Sequence, residues 1–297
     1  MEQSKNRPII GISALLISTL LYSSWAIFSR LINNEIPLYY QMGTRGIIAL
    51  IIFIIIVVLF KQWKPIRLNT AFWLIIRSIC GTFGFAAYYI GINNLSIGTA
   101  YLLSYAMVLI GGYLIGELFF HERITKIKLV SLGLALLGLF LIYSIDINPA
   151  KTIYVIIMLV SGLCTAIWNT FGNKAKNLSV AQISLLDNAF GLIFAFIISL
   201  VIHETWIPPS LTTPWIASAL IATTGIITSM LIVLGFKYLK AQIGSLVVLS
   251  EILFAIIMGF LWYQEVIPVF TIIGGLLILT AIILPETNIA NILNKKK

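Results

Sequence analysis

Long apolar segments dominate the pattern of this sequence. Runs of about 20 residues recur from residue 9 to residue 285, and short polar breaks separate them. A helix rises about 1.5 Å per residue, so each run can cross roughly 30 Å of hydrocarbon. The runs are continuously apolar and lack the strict alternation of outer-membrane strands. The pattern therefore predicts an all-α integral membrane protein.

Ten membrane-spanning helices follow from the turn and charge breaks between these runs. The breaks combine polar residues with residues that end helices, as at 33–37, 61–65 and 146–149. No stretch between two runs is long enough for a soluble domain. The predicted spans are 9–32, 39–60, 70–92, 98–118, 128–145, 152–172, 180–202, 214–236, 242–263 and 266–285.

Basic residues between the spans predict the orientation of the chain. With a cytoplasmic N-terminus, fifteen lysines and arginines fall in inside segments, and only Arg30 and Lys151 fall in outside segments. This distribution follows the positive-inside rule, so both termini are expected to be cytoplasmic in a cell inner (plasma) membrane. The net charge of +9 arises from these clusters and does not indicate a nucleic-acid partner.

Two parts of the chain are similar at an offset close to half its length. The segment 97–104 (IGTAYLLS) matches 243–250 (IGSLVVLS), and 25–28 (WAIF) matches 168–171 (WNTF). The similarity predicts two five-helix repeats, 1–148 and 149–297, within one integrated membrane domain. Because five is odd, the second repeat is expected to be inverted. Inverted repeats are typical of alternating-access transporters, which bind substrate near the midplane.

Three motifs, in their order and spacing, carry a resemblance to a known family. They are 42–45 (MGTR) in span two, 119–124 (FFHERI) after span four and 249–255 (LSEILFA) in span nine. The pattern resembles the EamA-type ten-span transporters of the drug/metabolite transporter superfamily over about residues 9–285. The family usually has proline after the span-nine glutamate, where this chain has Ile252.

The resemblance implies transport, commonly export, of amino acids, nucleotide-like metabolites or amphipathic drugs. It also implies that no ATP-binding site is needed. The sequence agrees, because it contains no phosphate-binding Gly-x-x-x-x-Gly-Lys-Ser/Thr loop. Ion or substrate gradients are then expected to drive the transport.

Charged residues inside the spans are costly and are therefore candidates for function. Glu251 is the deepest, roughly 15 Å into span nine, and we favour a substrate or proton site there. Asp187 is either a paired structural carboxylate or part of a cavity wall. Arg45 can pair with a carboxylate or with backbone carbonyls, or bind substrate. Glu117 can reach water, pair with Arg123 or bind substrate.

Aromatic residues inside the spans are candidates for the walls of a midplane cavity. Trp25 and Trp168 occupy matching positions of the repeat, and Tyr88, Tyr101 and Tyr105 lie within other spans. The alternative for each is a ring that faces lipid or the membrane interface. The predicted substrate site comprises Glu251, Asp187, Trp25, Trp168, Tyr88, Tyr105, Arg45 and Glu117.

Other kinds of site receive no support from the sequence. His121 and His203 lie at opposite membrane edges, and no residues have the spacing of a metal site or a catalytic triad. We therefore predict no metal, cofactor or catalytic residue. The predicted function is secondary transport of a small polar or amphipathic metabolite, amino acid-like or adenosyl/nucleoside-like, by alternating access.

Several points stay open at this stage. The partners are the bilayer, the substrate, and a proton or counter-substrate, and the chain is a monomer or a homodimer. The alternative function is a membrane-embedded enzyme that acts on a lipid head group. Such an enzyme needs polar groups gathered at one interface, whereas the carboxylates here lie at different depths.

Overall fold

The computed structural model describes residues 7–32, 35–143 and 151–286, and every regular element in these ranges is a helix. The apolar runs form helices because only helices satisfy the backbone hydrogen bonds of a single segment in lipid. The helices are α1 Arg7–Ser23, α2 Trp25–Ile32, α3 Leu38–Leu59, α4 Leu68–Asn94, α5 Ile97–Phe120, α6 Lys126–Ile142, α7 Thr152–Phe171, α8 Val180–Val201, α9 Thr213–Tyr238, α10 Ala241–Val248, α11 Ser250–Tyr263 and α12 Val269–Ile283.

Eight helical segments in the described ranges are long and apolar enough to cross a membrane. One of them joins α1 and α2, which are interrupted at Ser24, and another joins α10 and α11, which are interrupted at Leu249. The helices at predicted spans five and ten are shorter, with 17 residues in α6 and 15 in α12. The prediction of an all-α, multi-pass membrane protein is confirmed.

Short polar residues start several of these helices. Ser96, Thr125 and Ser179 immediately precede α5, α6 and α8, and each side-chain oxygen accepts a hydrogen bond from the backbone N–H three residues later. These bonds satisfy N–H groups that have no partner within the helix. The polar breaks in the sequence thus also fix where the helices begin.

Left-handed backbone conformations mark the repeat. Lys61 and His203 follow α3 and α8 with φ of 49° and 54°, and His121 and Gln264 follow α5 and α11 with φ of 52° and 53°. The first pair is separated by 142 residues and the second pair by 143 residues. Equivalent helices of the two halves therefore end in the same way, which agrees with two five-helix repeats.

The chain forms two compact units, and each contains residues from both sequence halves. Unit one is Met1–Thr82 with Phe171–Lys237, and unit two is Phe83–Thr170 with Tyr238–Lys297. This division follows packing and not sequence similarity. The repeat boundary between residues 148 and 149 stays a prediction, and it falls outside the described residues.

Glycine contacts join two equivalent helices within each unit. In unit one, a Cβ on Gly43 would lie 2.8 Å from the Phe196 ring, so α3 and α8 pack closely. In unit two, a Cβ on Gly138 would lie 2.6 Å from the carbonyl oxygen of Gly274, and the reverse distance is the same. Gly46 contacts Leu192, whereas Gly43 contacts Phe196. The helices α3 and α8 therefore run antiparallel. This antiparallel packing of equivalent spans is expected for an inverted repeat.

Candidate functional site

Glu251 lies in the first turn of α11, directly after the helix break. The N–H of Leu249 bonds to the carbonyl of Leu246 at 3.1 Å, and the N–H of Ile252 bonds to that of Leu249 at 3.1 Å. These are the three-residue spacings of a 3₁₀ turn, which interrupts the α-helical ladder. The break therefore forms although Ile252 stands where the family usually has proline. It places Glu251 at the start of a helix between buried neighbours, Ser250 and Ile252.

Four tyrosines surround Glu251 within unit two. The Tyr105 hydroxyl lies next to the Glu251 carboxylate. The Tyr101 ring lies 5.8 Å from that of Tyr105, 5.7 Å from that of Tyr143 and 6.0 Å from that of Tyr88, between centroids. We call these five residues the tyrosine–glutamate cluster.

Several helices contribute to the tyrosine–glutamate cluster. Tyr101 and Tyr105 are one turn apart and share a face of α5, whereas Tyr88 comes from α4 and Tyr143 directly follows α6. All five side chains are partly buried and none is fully enclosed. Part of each side chain in the cluster is therefore exposed at the surface of the described structure.

The chemistry of the cluster suits a positively charged organic group. Tyrosine ring faces carry negative partial charge and attract ammonium cations, and a carboxylate supplies a full negative charge beside them. Within the described residues Glu251 forms no ion pair, so its charge is not neutralised by an internal lysine or arginine. Two predicted site residues besides Glu251, Tyr88 and Tyr105, belong to this cluster.

Asp187 has different surroundings, in unit one. Its Oδ2 accepts a hydrogen bond from Arg77 Nε at 2.8 Å, and its Oδ1 accepts one from Ser78 Oγ at 2.7 Å. The Arg77 side chain is 0% exposed and that of Asp187 is 9% exposed. These contacts are those of a paired carboxylate, the first of the two interpretations that the sequence leaves open. A part for Asp187 in substrate binding stays a prediction.

The two repeat-related tryptophans lie in different units. Trp25, in unit one, begins α2, and its Nε1 donates a hydrogen bond to Thr224 Oγ1 at 3.0 Å. Its ring packs edge-on against Tyr22, with 4.8 Å between centroids. Trp168, in unit two, is partly buried in α7. Their predicted role as cavity walls is not tested by these contacts.

The remaining predicted residues, Arg45 and Glu117, are not members of the tyrosine–glutamate cluster. Arg45 Nε donates to the Gln41 carbonyl of its own helix at 3.2 Å, and the side chain lines a groove of unit one. Glu117 is exposed near the end of α5. Substrate contact by either residue stays a prediction.

A second polar cluster, absent from the predicted site, fixes the start of α10. The Glu122 carboxylate accepts hydrogen bonds from the backbone N–H groups of Ala241 at 2.7 Å and Gln242 at 3.2 Å. The Gln242 side chain donates to the Glu122 carbonyl at 3.2 Å and accepts a hydrogen bond from Lys128 Nζ. We call Glu122, Lys128 and Gln242 the Glu122 clasp. In the sequence, Glu122 appeared only within the 119–124 motif of the family resemblance, and not as a candidate site residue.

Tyr143 is the member of the tyrosine–glutamate cluster that sequence reasoning did not identify. It stands at the edge of the predicted fifth span, where a tyrosine ordinarily belongs to the interfacial belt. Its distance of 5.7 Å from the Tyr101 ring depends on how α5 and α6 pack, and no local pattern encodes that packing.

Comparisons with known proteins agree with this architecture. The sequence model of the EamA-like transporter family matches residues 9–144 and 152–285. A crystal structure of another protein has a TM-score of 0.79 and 15% sequence identity, and the match covers 97% of this chain and 99% of the other, which shows a shared fold. No curated protein matches the sequence. The two family matches cover almost the whole chain, and the chain belongs to the EamA-like transporter family.

Proposed function

We propose that this protein is a secondary transporter that moves a small organic metabolite across the inner membrane by alternating access. The observation that carries the proposal is Glu251, a partly buried carboxylate in a membrane-spanning segment that has no ion-pair partner within the described residues. An uncompensated carboxylate in such a place costs several kcal/mol. A proton or a cationic substrate group would remove that cost.

The tyrosine–glutamate cluster supports a substrate with an ammonium group and a flat or polar remainder. Glu251 and the Tyr105 hydroxyl would bind the ammonium group, and the Tyr101 ring would contact the remainder. Amino acid-like metabolites have this combination, and so do adenosyl- or nucleoside-like metabolites that also carry an aliphatic amino group. A proton or a second substrate molecule would occupy Glu251 on the return step.

Broken helices support the proposed mechanism. Transporters with inverted repeats bind their substrates where spanning helices are interrupted near the midplane. Here the first span is interrupted at Ser24 and the ninth at Leu249, each beside a predicted site residue, Trp25 or Glu251. The charge distribution supports cytoplasmic termini, which would place the Glu122 clasp on the cytoplasmic side.

Counterflow in proteoliposomes tests the proposal. Vesicles loaded with one unlabelled compound would be offered the labelled form, for a panel of amino acids, nucleosides and organic cations. We expect exchange above that of empty vesicles for at least one ammonium-bearing compound, and loss of that exchange in Glu251→Gln. Glu35→Gln, which changes an exposed loop carboxylate, is the matched control and should exchange like the wild type.

Two results would contradict the proposal. Exchange no faster than in empty vesicles for the whole panel would argue against transport of this substrate class. Wild-type exchange by Glu251→Gln would leave transport standing but remove the tyrosine–glutamate cluster from the substrate site.

A further inference from the structure

Arg45 lines a groove in unit one that is separate from the tyrosine–glutamate cluster. The groove has a volume of about 410 Å³ and lies between α3 and the segment that leads into α9. Arg45 lines it together with Trp215 and three hydroxyl-bearing residues, and most of the lining surface is apolar. It therefore combines one cationic group with an apolar channel.

The aliphatic walls of this groove lie on the outer surface of the protein. Ile47 and Ile48 of α3 are 43% and 42% exposed, and Leu211 is 97% exposed. Ile47 and Ile48 lie in a membrane-spanning segment, where exposed aliphatic side chains contact the acyl chains of lipids. The groove thus opens toward the bilayer, and its occupant has to be soluble there.

The charge of Arg45 has no counter-ion in the described part of the chain. Its Nε bonds to the Gln41 carbonyl, and the side chain forms no ion pair with any described carboxylate. The guanidinium group is planar and can donate two parallel hydrogen bonds to a phosphate. A phosphate in the groove would neutralise a cation that is otherwise placed among apolar walls.

The depth of Arg45 fits the head group of a lipid. It lies seven residues after the start of α3, which corresponds to about 10 Å along the helix axis. Trp215, in the first turn of α9, lines the same groove, and tryptophan is enriched at the level of lipid head groups. A phosphate at this level would leave the acyl chains beside Ile47 and Ile48.

We propose that this groove binds the phosphate group of an anionic phospholipid, with Arg45 as its cationic ligand and Ile47 and Ile48 beside the acyl chains. The inference does not depend on the transport proposal, and it gives Arg45 a role other than the substrate contact predicted from the sequence. The bound lipid would fix the segment 209–211 against α3.

Lipid binding by the full-length protein tests this assignment. Wild-type and variant proteins would be delipidated in detergent, titrated with phosphatidylglycerol or phosphatidylcholine, and examined by native mass spectrometry. We expect the wild type to prefer phosphatidylglycerol, and Arg45→Gln to bind it about fivefold more weakly, the usual effect of one basic group at an anionic lipid surface. Arg45→Lys should lie between them.

Two further variants test lipid binding in the groove even if Arg45→Gln does not fold. Ile48→Trp fills the groove at an exposed position without removing a charge, and it should also weaken phosphatidylglycerol binding. Lys151→Gln removes an exposed basic residue outside the groove and should leave binding unchanged.

Three outcomes would overturn the proposal. They are equal affinity of the wild type for the two lipids, undiminished phosphatidylglycerol binding in Arg45→Gln, and undiminished binding in Ile48→Trp. If Arg45→Gln retained its lipid but raised the KM for counterflow, Arg45 would instead belong to the substrate site.

Discussion

The Arg77 guanidinium and the Asp187 carboxylate form an ion pair inside unit one, with 2.8 Å between Arg77 Nε and Asp187 Oδ2. Ser78 donates to the other carboxylate oxygen, so both oxygens have partners. The pair joins α4 to α8 and involves a fully buried arginine. This relationship makes Asp187 important first for stability.

Asp187→Asn should therefore destabilise the protein strongly. It leaves the buried Arg77 without its counter-charge, and breaking a buried ion pair on one side typically costs about 3–5 kcal/mol. Thermal unfolding in detergent would measure the loss, with Glu35→Gln as the exposed control. An unchanged melting temperature together with lost transport would instead assign Asp187 to the substrate site.

Glu251→Gln should have the opposite effect, with lost transport and little change in stability. Because Glu251 has no ion-pair partner in the described ranges, its replacement strands no buried charge. Glutamine has nearly the same size and is still a hydrogen-bond acceptor beside the Tyr105 hydroxyl, so we expect a change of no more than about 1 kcal/mol in the free energy of unfolding. Unfolding and uptake, measured on one preparation, should show near wild-type stability and lost transport. A large fall in stability would make Glu251 a structural residue.

Two glycines of α6 offer a matched comparison of helix packing. A Cβ on Gly138 would lie 2.6 Å from a backbone oxygen of α12, whereas one on Gly133 would meet no atom within 4 Å. Gly138→Ala should cost about 1–3 kcal/mol through overpacking, and Gly133→Ala should be neutral or slightly stabilising. Thermal unfolding of both variants would measure the difference. Equal effects would contradict the close antiparallel packing of α6 and α12.

The proposed orientation can be measured by labelling single cysteines. Cys80 and Cys164 are not joined in a disulfide, and both would be replaced first. A cysteine at Asn148, which lies outside the described residues, should react with an impermeant reagent added to intact cells. A cysteine at Lys176 should react only after permeabilisation, because the charge distribution places it inside. Equal labelling of both in intact cells would refute this topology.

Much of the fold could be predicted because its signals are local. The hydropathy of the sequence predicts the membrane spans, and the match between 97–104 and 243–250 predicts the repeat without any information on contacts. The break at Leu249 carried no such signal, since no proline or glycine stands there. It arises from a 3₁₀ turn within a fully buried segment.

The site was only partly predictable for a related reason. Membrane depth identified Glu251 and Asp187 as candidates, but depth does not reveal which helix faces meet. The packing of α4 on α8 pairs Asp187 with Arg77, and the packing of α5 with α11 leaves Glu251 among tyrosines. The Asp187 carboxylate is therefore neutralised by Arg77, whereas the Glu251 carboxylate has no ion-pair partner in the described residues.

The Glu122 clasp bears on which part of the ninth span can move. All eight residues of α10 are buried, and its first turn is held by the Glu122 carboxylate, whereas α11 carries exposed residues such as Ile257 and Phe260. A rotation about Leu249 would then move α11 while α10 stays fixed. Glu251, two residues beyond that pivot, would turn with α11 and leave the Tyr105 hydroxyl, which in the proposed mechanism would release the bound cation and expose the carboxylate to a proton.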